Sequence, residues 1–190
     1  MGKLQRILSR LFSLIGFKSS KWQVELIKGK SILFRRVHFQ WIEVDNGNYA
    51  VAPAAFNDSA NEISCDWNKY STPTKSFNLI SKEYKFGKTI FKEKNDYFIA
   101  SVAVSPILGE TNNNVLHNPI QELPEKVGTP NNRAHSIIKS KNDADEERIV
   151  KDRFWLAENS KWEIFEAVRY LQIIDDNKKR KKGSASSNLI

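Results

Sequence analysis

Two of the three histidines, His117 and His135, stand in short polar segments with the right residue types for proton chemistry; the third is His38. His117 opens His117-Asn118-Pro119, and His135 closes Asn131-Asn132-Arg133-Ala134-His135, with a Pro/Gly-rich loop over 118–133 between them. Two imidazoles meeting across such a loop would form a general acid/base pair at neutral pH, because the ordinary pKa of histidine lies there. Arg133 would hold a phosphate or carboxylate with its planar fork. Asp66 would orient one imidazole, and Tyr70 would donate a hydrogen bond. That set suits a metal-independent phosphodiesterase or nuclease. A plainer arrangement accounts for the same residues: each imidazole tip bonds a backbone carbonyl and fixes the loop, while Asp66, Asn68 and Thr72 cap a turn. A metal site from His117, His135 and Asp66 is a third arrangement, but nothing in the spacing matches a helix-borne zinc motif, and no metal is expected.

The same segments carry a resemblance. Asp66-Trp67-Asn68-Lys69-Tyr70-Ser71-Thr72-Pro73, with His117-Asn118-Pro119 and Asn132-Arg133-Ala134-His135, resembles small bacterial proteins that have an Asp-Trp-x-x-Tyr-x-x-Pro segment and later His-x-Pro and Asn-Arg-Ala-His segments. The likeness covers roughly 62–160. It implies a bacterial or phage-linked origin and carries no reaction with it.

Other chemistry is sparse. Cys65 is the single cysteine, which excludes an intramolecular disulfide and a cysteine zinc cage and suits a buried strand position. Lys85-Phe86-Gly87-Lys88-Thr89 ends like a phosphate loop but lacks the first glycine, whose place five positions before Gly87 is taken by Lys82, so no nucleotide site or other cofactor is expected. No nucleophile-elbow serine motif occurs. Phe34, Phe39 and Trp41 flank Arg35 and Arg36, a composition that stacks and neutralises nucleic acid where the rings are exposed.

Charge is distributed unevenly. Residues 1–30 carry seven Lys/Arg against one acid, Glu25, and Lys178-Lys179-Arg180-Lys181-Lys182 is uninterrupted base. With +6 and +5 at the two ends of a chain that sums to +8, the body between them carries −3. An anionic partner is therefore expected at the ends, not on one broad face of the body.

The elements that must position these groups follow from periodicity. With 190 residues, 40% hydrophobic and 27% charged, the chain has material for a core, which excludes wholesale disorder. Leu4, Ile7, Leu8, Leu11, Leu14 and Ile15 predict an amphipathic helix over 3–17, packed on the domain, on a partner, or on an anionic membrane surface. Its recurring basic residues and the lack of a small-residue cleavage site speak against a secretory leader, and Arg6 speaks against myristoylation. No apolar run approaches the roughly 20 residues that span a bilayer, so a cytoplasmic protein is expected.

Strands are predicted over 22–28, 32–44, 49–52, 62–67, 97–108, 115–117 and 134–139, with Asn46-Gly47 as a tight hairpin turn. Asp143–Asp145 would cap a helix running to Glu158, and 161–174 reads as a second helix, ambiguous with a strand. The fold class is then α+β, with an antiparallel or mixed sheet of about seven strands, an N-terminal amphipathic helix and one or two C-terminal helices. The predicted organisation is a basic helix over 1–21, a domain over 22–177 and a basic disordered tail over 178–190. The leading functional expectation is an accessory or adaptor protein. Its partner would be a nucleic acid or a protein, contacted through Lys178, Lys179, Arg180, Lys181 and Lys182 together with Arg35 and Arg36. The phosphodiesterase and the peripheral membrane protein are the alternatives, and the sequence leaves the oligomeric state open.

Overall fold

The computed structural model describes residues 21–58, 62–80, 82–85, 88–91, 94–121, 131–141 and 146–186. The helix expected over 3–17 and the cap expected at 143–145 lie outside the described residues. The chain is an α+β protein, and every strand pair among the described residues is antiparallel.

In chain order the strands are β1 Ile32–His38, β2 Ile42–Asp45, β3 Asn48–Val51, β4 Glu62–Trp67, β5 Lys82–Lys85, β6 Lys88–Phe91, β7 Tyr97–Ala103, β8 Asn113–His117, β9 His135–Ser140 and β10 Lys161–Ile164. The helices are α1 Pro73–Asn78, α2 Val104–Glu110, α3 Glu146–Glu158 and α4 Ala167–Ser186. Six strands form the main sheet in the order β10-β7-β1-β4-β9-β8, and β2-β3 and β5-β6 are separate two-stranded hairpins.

Local chemistry explains many boundaries. Asn46 and Gly47 take φ values of 49° and 81°, the left-handed pair that a tight turn between antiparallel strands demands. Thr72 accepts the Lys75 N–H at 3.2 Å and Pro73 occupies the first helical position, so α1 begins there. The run 161–174 resolves into both elements, β10 and then α4.

Four expectations change. The strand predicted over 32–44 breaks at His38, whose ring accepts the Gln40 N–H at 3.4 Å and leads into a 3-10 turn over Phe39–Trp41; β2 then leaves the main sheet. The strand predicted over 22–28 does not form, because its alternation is inverted: Val24 and Leu26 are exposed while Ile27 enters the core. The apolar run from Tyr97 changes from strand to helix at Val104, a switch that continuous hydrophobicity hides. The tail expected to be disordered from Lys178 is helical in backbone as far as Ser186. Lysine and arginine are good helix formers and suit a helix C-terminus, which explains the continuation.

Side chains alternate across the sheet and create two layers. One face carries Leu33, Val37, Cys65, Trp67, Phe98, Ala100, Val115 and Ile138 into the main core, completed by Phe56, Ile107, Leu156, Tyr170 and Ile173. Each large side chain there contributes roughly 1.5–3 kcal/mol through burial. The opposite face holds a smaller cluster of Phe34, Ile80 and Ile99, with Phe77 packed on it.

Candidate functional site

The two sequence segments singled out above meet at one end of the main sheet. β4 ends in Asp66 and Trp67, β8 ends in His117, and β9 begins at His135. The register sets Asp66 opposite His135 and His117 opposite Ser136. Backbone bonds close the junction: Trp67 N–H to Ala134 O at 2.7 Å, Asn118 N–H to His135 O at 2.9 Å, and the reciprocal pair Ile120–Asn132 at 2.9 and 2.8 Å.

That register separates the histidines. Residues opposite each other on neighbouring strands share a face, and successive residues alternate. His117 therefore lies on the face of Ser136, while His135 lies on the other face with Asp66. The acid/base pair is not assembled. His117 is buried; its Nδ1 accepts the Glu25 N–H at 3.1 Å, so its Nε2 carries the hydrogen and donates to Arg133 O at 2.6 Å. Both ring nitrogens are spent on the backbone, and the ring packs on Trp67 and Tyr70 at 5.2 and 5.7 Å. His135 donates from Nδ1 to Asn118 O at 2.6 Å, leaving Nε2 3.5 Å from Ser64 Oγ. Burial lowers its pKa, partly opposed by the bond to Asn118 and the charge of Asp66, so the ring is neutral at pH 7.

Asp66 does not orient an imidazole. Its side chain is 1% exposed, with Oδ2 2.5 Å from Arg36 and Oδ1 accepting from Asn132 Nδ2 at 2.6 Å. Arg36 also donates to Ser76 O at 3.1 Å, which ties β1, β4, α1 and the 131–134 turn together. Its neighbour Arg35 points to the other face, is buried, and holds Asp58 through two bonds of 2.8 and 2.7 Å as well as Ala55 O and Ser64 O. The nucleic-acid face expected around Arg35 and Arg36 is thus absent among the described residues. Arg35 is paired inside the fold, half-buried Arg36 is paired with Asp66, Phe34 and Phe39 are buried, and Trp41 is half-buried. Cys65 is buried as expected, and burial pushes its thiol up to about 12.

The remaining expected residues, Tyr70 and Arg133, do come together, with two that the sequence analysis did not choose. Glu25 accepts from Lys69 Nζ and from the Tyr70 hydroxyl, and Arg133 Nη2 lies 3.1 Å from that hydroxyl and 3.6 Å from the carboxylate. The Arg133 guanidinium sits 3.9 Å from the centre of the Tyr70 ring, and His117 stacks on that ring as well. Desolvation pushes the Glu25 carboxyl up, but the bonds from Lys69 and Tyr70 and the nearby positive charge outweigh it, so its pKa is lowered. The bond to Glu25 raises that of Lys69. Glu25 had one visible signal, as the single acid among the bases of residues 1–30.

Among the described residues, no group of three or more His, Cys, Asp or Glu is arranged to hold a metal ion, and no helix is long and apolar enough to cross a membrane. Lys178 and Lys179 are exposed on α4. The chain matches no family model, no curated protein and no solved structure.

Proposed function

We propose that this protein works by binding rather than by catalysis, and that the basic end of α4 contacts nucleic acid. The catalytic alternative loses its support where His117 spends both ring nitrogens on the backbone and faces away from His135. The observation that carries the binding reading is the length of α4. Ile173 turns into the core, whereas Lys178 and Lys179 are exposed and the helical backbone continues through the basic run to Ser186. That stretch has no large apolar residue to seat in a bilayer, and successive helical positions lie about 100° apart, so five bases in a row surround the axis. A flat anionic surface meets only part of such a ring of charge, whereas the phosphates flanking a nucleic-acid groove meet both sides.

The test is fluorescence anisotropy with duplex and single-stranded oligonucleotides over a series of salt concentrations. The whole chain is compared with one lacking 178–190. Every phosphate that the protein no longer neutralises flattens the slope of log affinity against log salt by about 0.9 on duplex, so removing all five bases should flatten it by up to roughly 4.5. An unchanged slope would exclude the helix end from the interface. Binding to anionic vesicles without binding to oligonucleotides would replace nucleic acid with a membrane surface.

A further inference from the structure

Three hydrogen-bond donors, Lys69 Nζ, the Tyr70 hydroxyl and Arg133 Nη2, gather around the two oxygens of Glu25. The donors and the carboxylate differ in how they are held. Lys69 and Tyr70 stand in the turn between β4 and α1, whose backbone is fixed by Tyr70 N–H and Ser71 N–H, both bonded to Trp67 O at 3.1 Å. Arg133 stands in the turn that leads into β9, where its carbonyl is bonded by buried His117. The Tyr70 ring packs against the Arg133 guanidinium and the His117 imidazole. These donors are therefore set in place before any ligand arrives. Glu25 is held at its own N–H by His117, and only its side chain, from a segment without regular secondary structure over 23–28, reaches the donors, at a rim position.

The charge balance shows that Glu25 does not exhaust the site: Lys69 and Arg133 bring two positive charges to one carboxylate, and their side chains remain 47% and 42% exposed. The Trp67 ring lies 5.2 Å from Lys69 Nζ and so reports on the site.

We propose that Lys69, Tyr70 and Arg133 form a receptor for a phosphate monoester, with the Glu25 carboxylate as a built-in occupant that the ligand displaces. Once Glu25 leaves, two full positive charges face the site, which matches the dianion of a phosphate monoester better than the single charge of a carboxylate. Arg133, Lys69 and His117 already pack on the Tyr70 ring, so the site reads the phosphate and does not stack a base. This inference is independent of the role proposed for α4.

The experiment titrates inorganic phosphate, and separately acetate, into the full chain while following the Trp67 indole N–H signal by NMR. Glu25→Ala should bind phosphate at least tenfold more tightly than the unaltered protein, and Glu25→Gln, which keeps the side-chain shape, should show part of that gain. Adding Lys69→Ala and Arg133→Ala to Glu25→Ala should abolish it. Oligonucleotides with a 5′-phosphate and with a 5′-hydroxyl separate the sources. A gain confined to the phosphorylated strand supports the site with a nucleic-acid end as ligand, and a gain with inorganic phosphate alone supports it with a small phosphomonoester. Glu25 variants that bind phosphate no better than the unaltered protein, binding that survives loss of Lys69 and Arg133, or an equal gain with acetate would each overturn the proposal.

Discussion

Two carboxylates meet the same stretch of chain, residues 66–70, and they are held in opposite ways. Asp66 is sealed between sheet and turn at 1% exposure, bonded to Arg36 and Asn132. Glu25 lies at the rim at 29% exposure, shared among Lys69, Tyr70 and Arg133. The residue types are nearly the same, an acid with arginine and polar donors, so burial makes the difference. A sealed charge that loses its partner is stranded away from water. A rim charge can be exchanged for solvent or for another anion at small cost. The lesson is that a cluster of charges in a sequence motif is structural where water is excluded and becomes a binding candidate only where water reaches it.

The largest effect should therefore come from the sealed cluster. Arg36→Met leaves the Asp66 carboxylate, 1% exposed, without its counter-charge, and should cost about 3–5 kcal/mol in urea unfolding; Asp66→Ala frees only Arg36, which water reaches, and should cost less. Replacing both charges, as Asp66→Leu with Arg36→Met, should recover much of that loss, since the uncompensated charge is gone. A loss below ~1 kcal/mol in Arg36→Met would break the comparison, because it would mean that solvent reaches Asp66 as readily as it reaches the rim.

The histidines sharpen the same contrast within one element pair. His117→Ala removes the acceptor of the Glu25 N–H and the donor to Arg133 O, and should cost about 2–3 kcal/mol through two backbone groups left without partners. His135→Ala, at a half-buried position, should cost less. His135 should instead show itself through pH. Its folded pKa lies below the ordinary 6.5, so the neutral ring is favoured by the fold. Its full contribution is present above pH 6.5, declines as the pH falls below that value, and is lost once the pH has passed through the folded pKa. Thermal melts across that range should show a slope that disappears in His135→Asn. A slope that persists unchanged would assign the titration to another group.

What the sequence made legible was local. Asn46-Gly47 and Thr72-Pro73 specify their turn and cap from neighbouring residues alone, and β4, β8 and β9 were visible from their short alternating runs. What stayed hidden depends on partners far along the chain. Residues 22–28 have strand alternation, but His117, 92 positions away, holds the Glu25 backbone, and Ile27 instead of Val24 enters the core. The pairing of Arg35 with Asp58 and of Arg36 with Asp66 likewise requires the sheet. One part of the site was within reach: adjacent residues on a strand point to opposite faces, so Arg35 and Arg36 were never able to present one common cationic surface.

The smallest effect belongs to the rim, and it tests the comparison from the other side. Glu25→Gln keeps the shape and two hydrogen-bonding atoms while removing the charge shared by Lys69 and Arg133. For an exposed ion pair the loss of stability at neutral pH should stay below ~1 kcal/mol. Acid should erase even that. The folded pKa of Glu25 lies below its ordinary 4.5, so its stabilisation is fully present above 4.5 and is lost as the pH falls through the folded value. The unaltered protein and Glu25→Gln should therefore converge in stability at low pH. High salt at neutral pH should narrow the same gap by screening, because at 1 M the Debye length shrinks to about 3 Å. Urea unfolding of both proteins, at neutral and acidic pH and at low and high salt, measures all of this. A gap of several kcal/mol that neither acid nor salt reduces would place Glu25 with Asp66 as a sealed charge, and the rim would then have no exchangeable anion to offer.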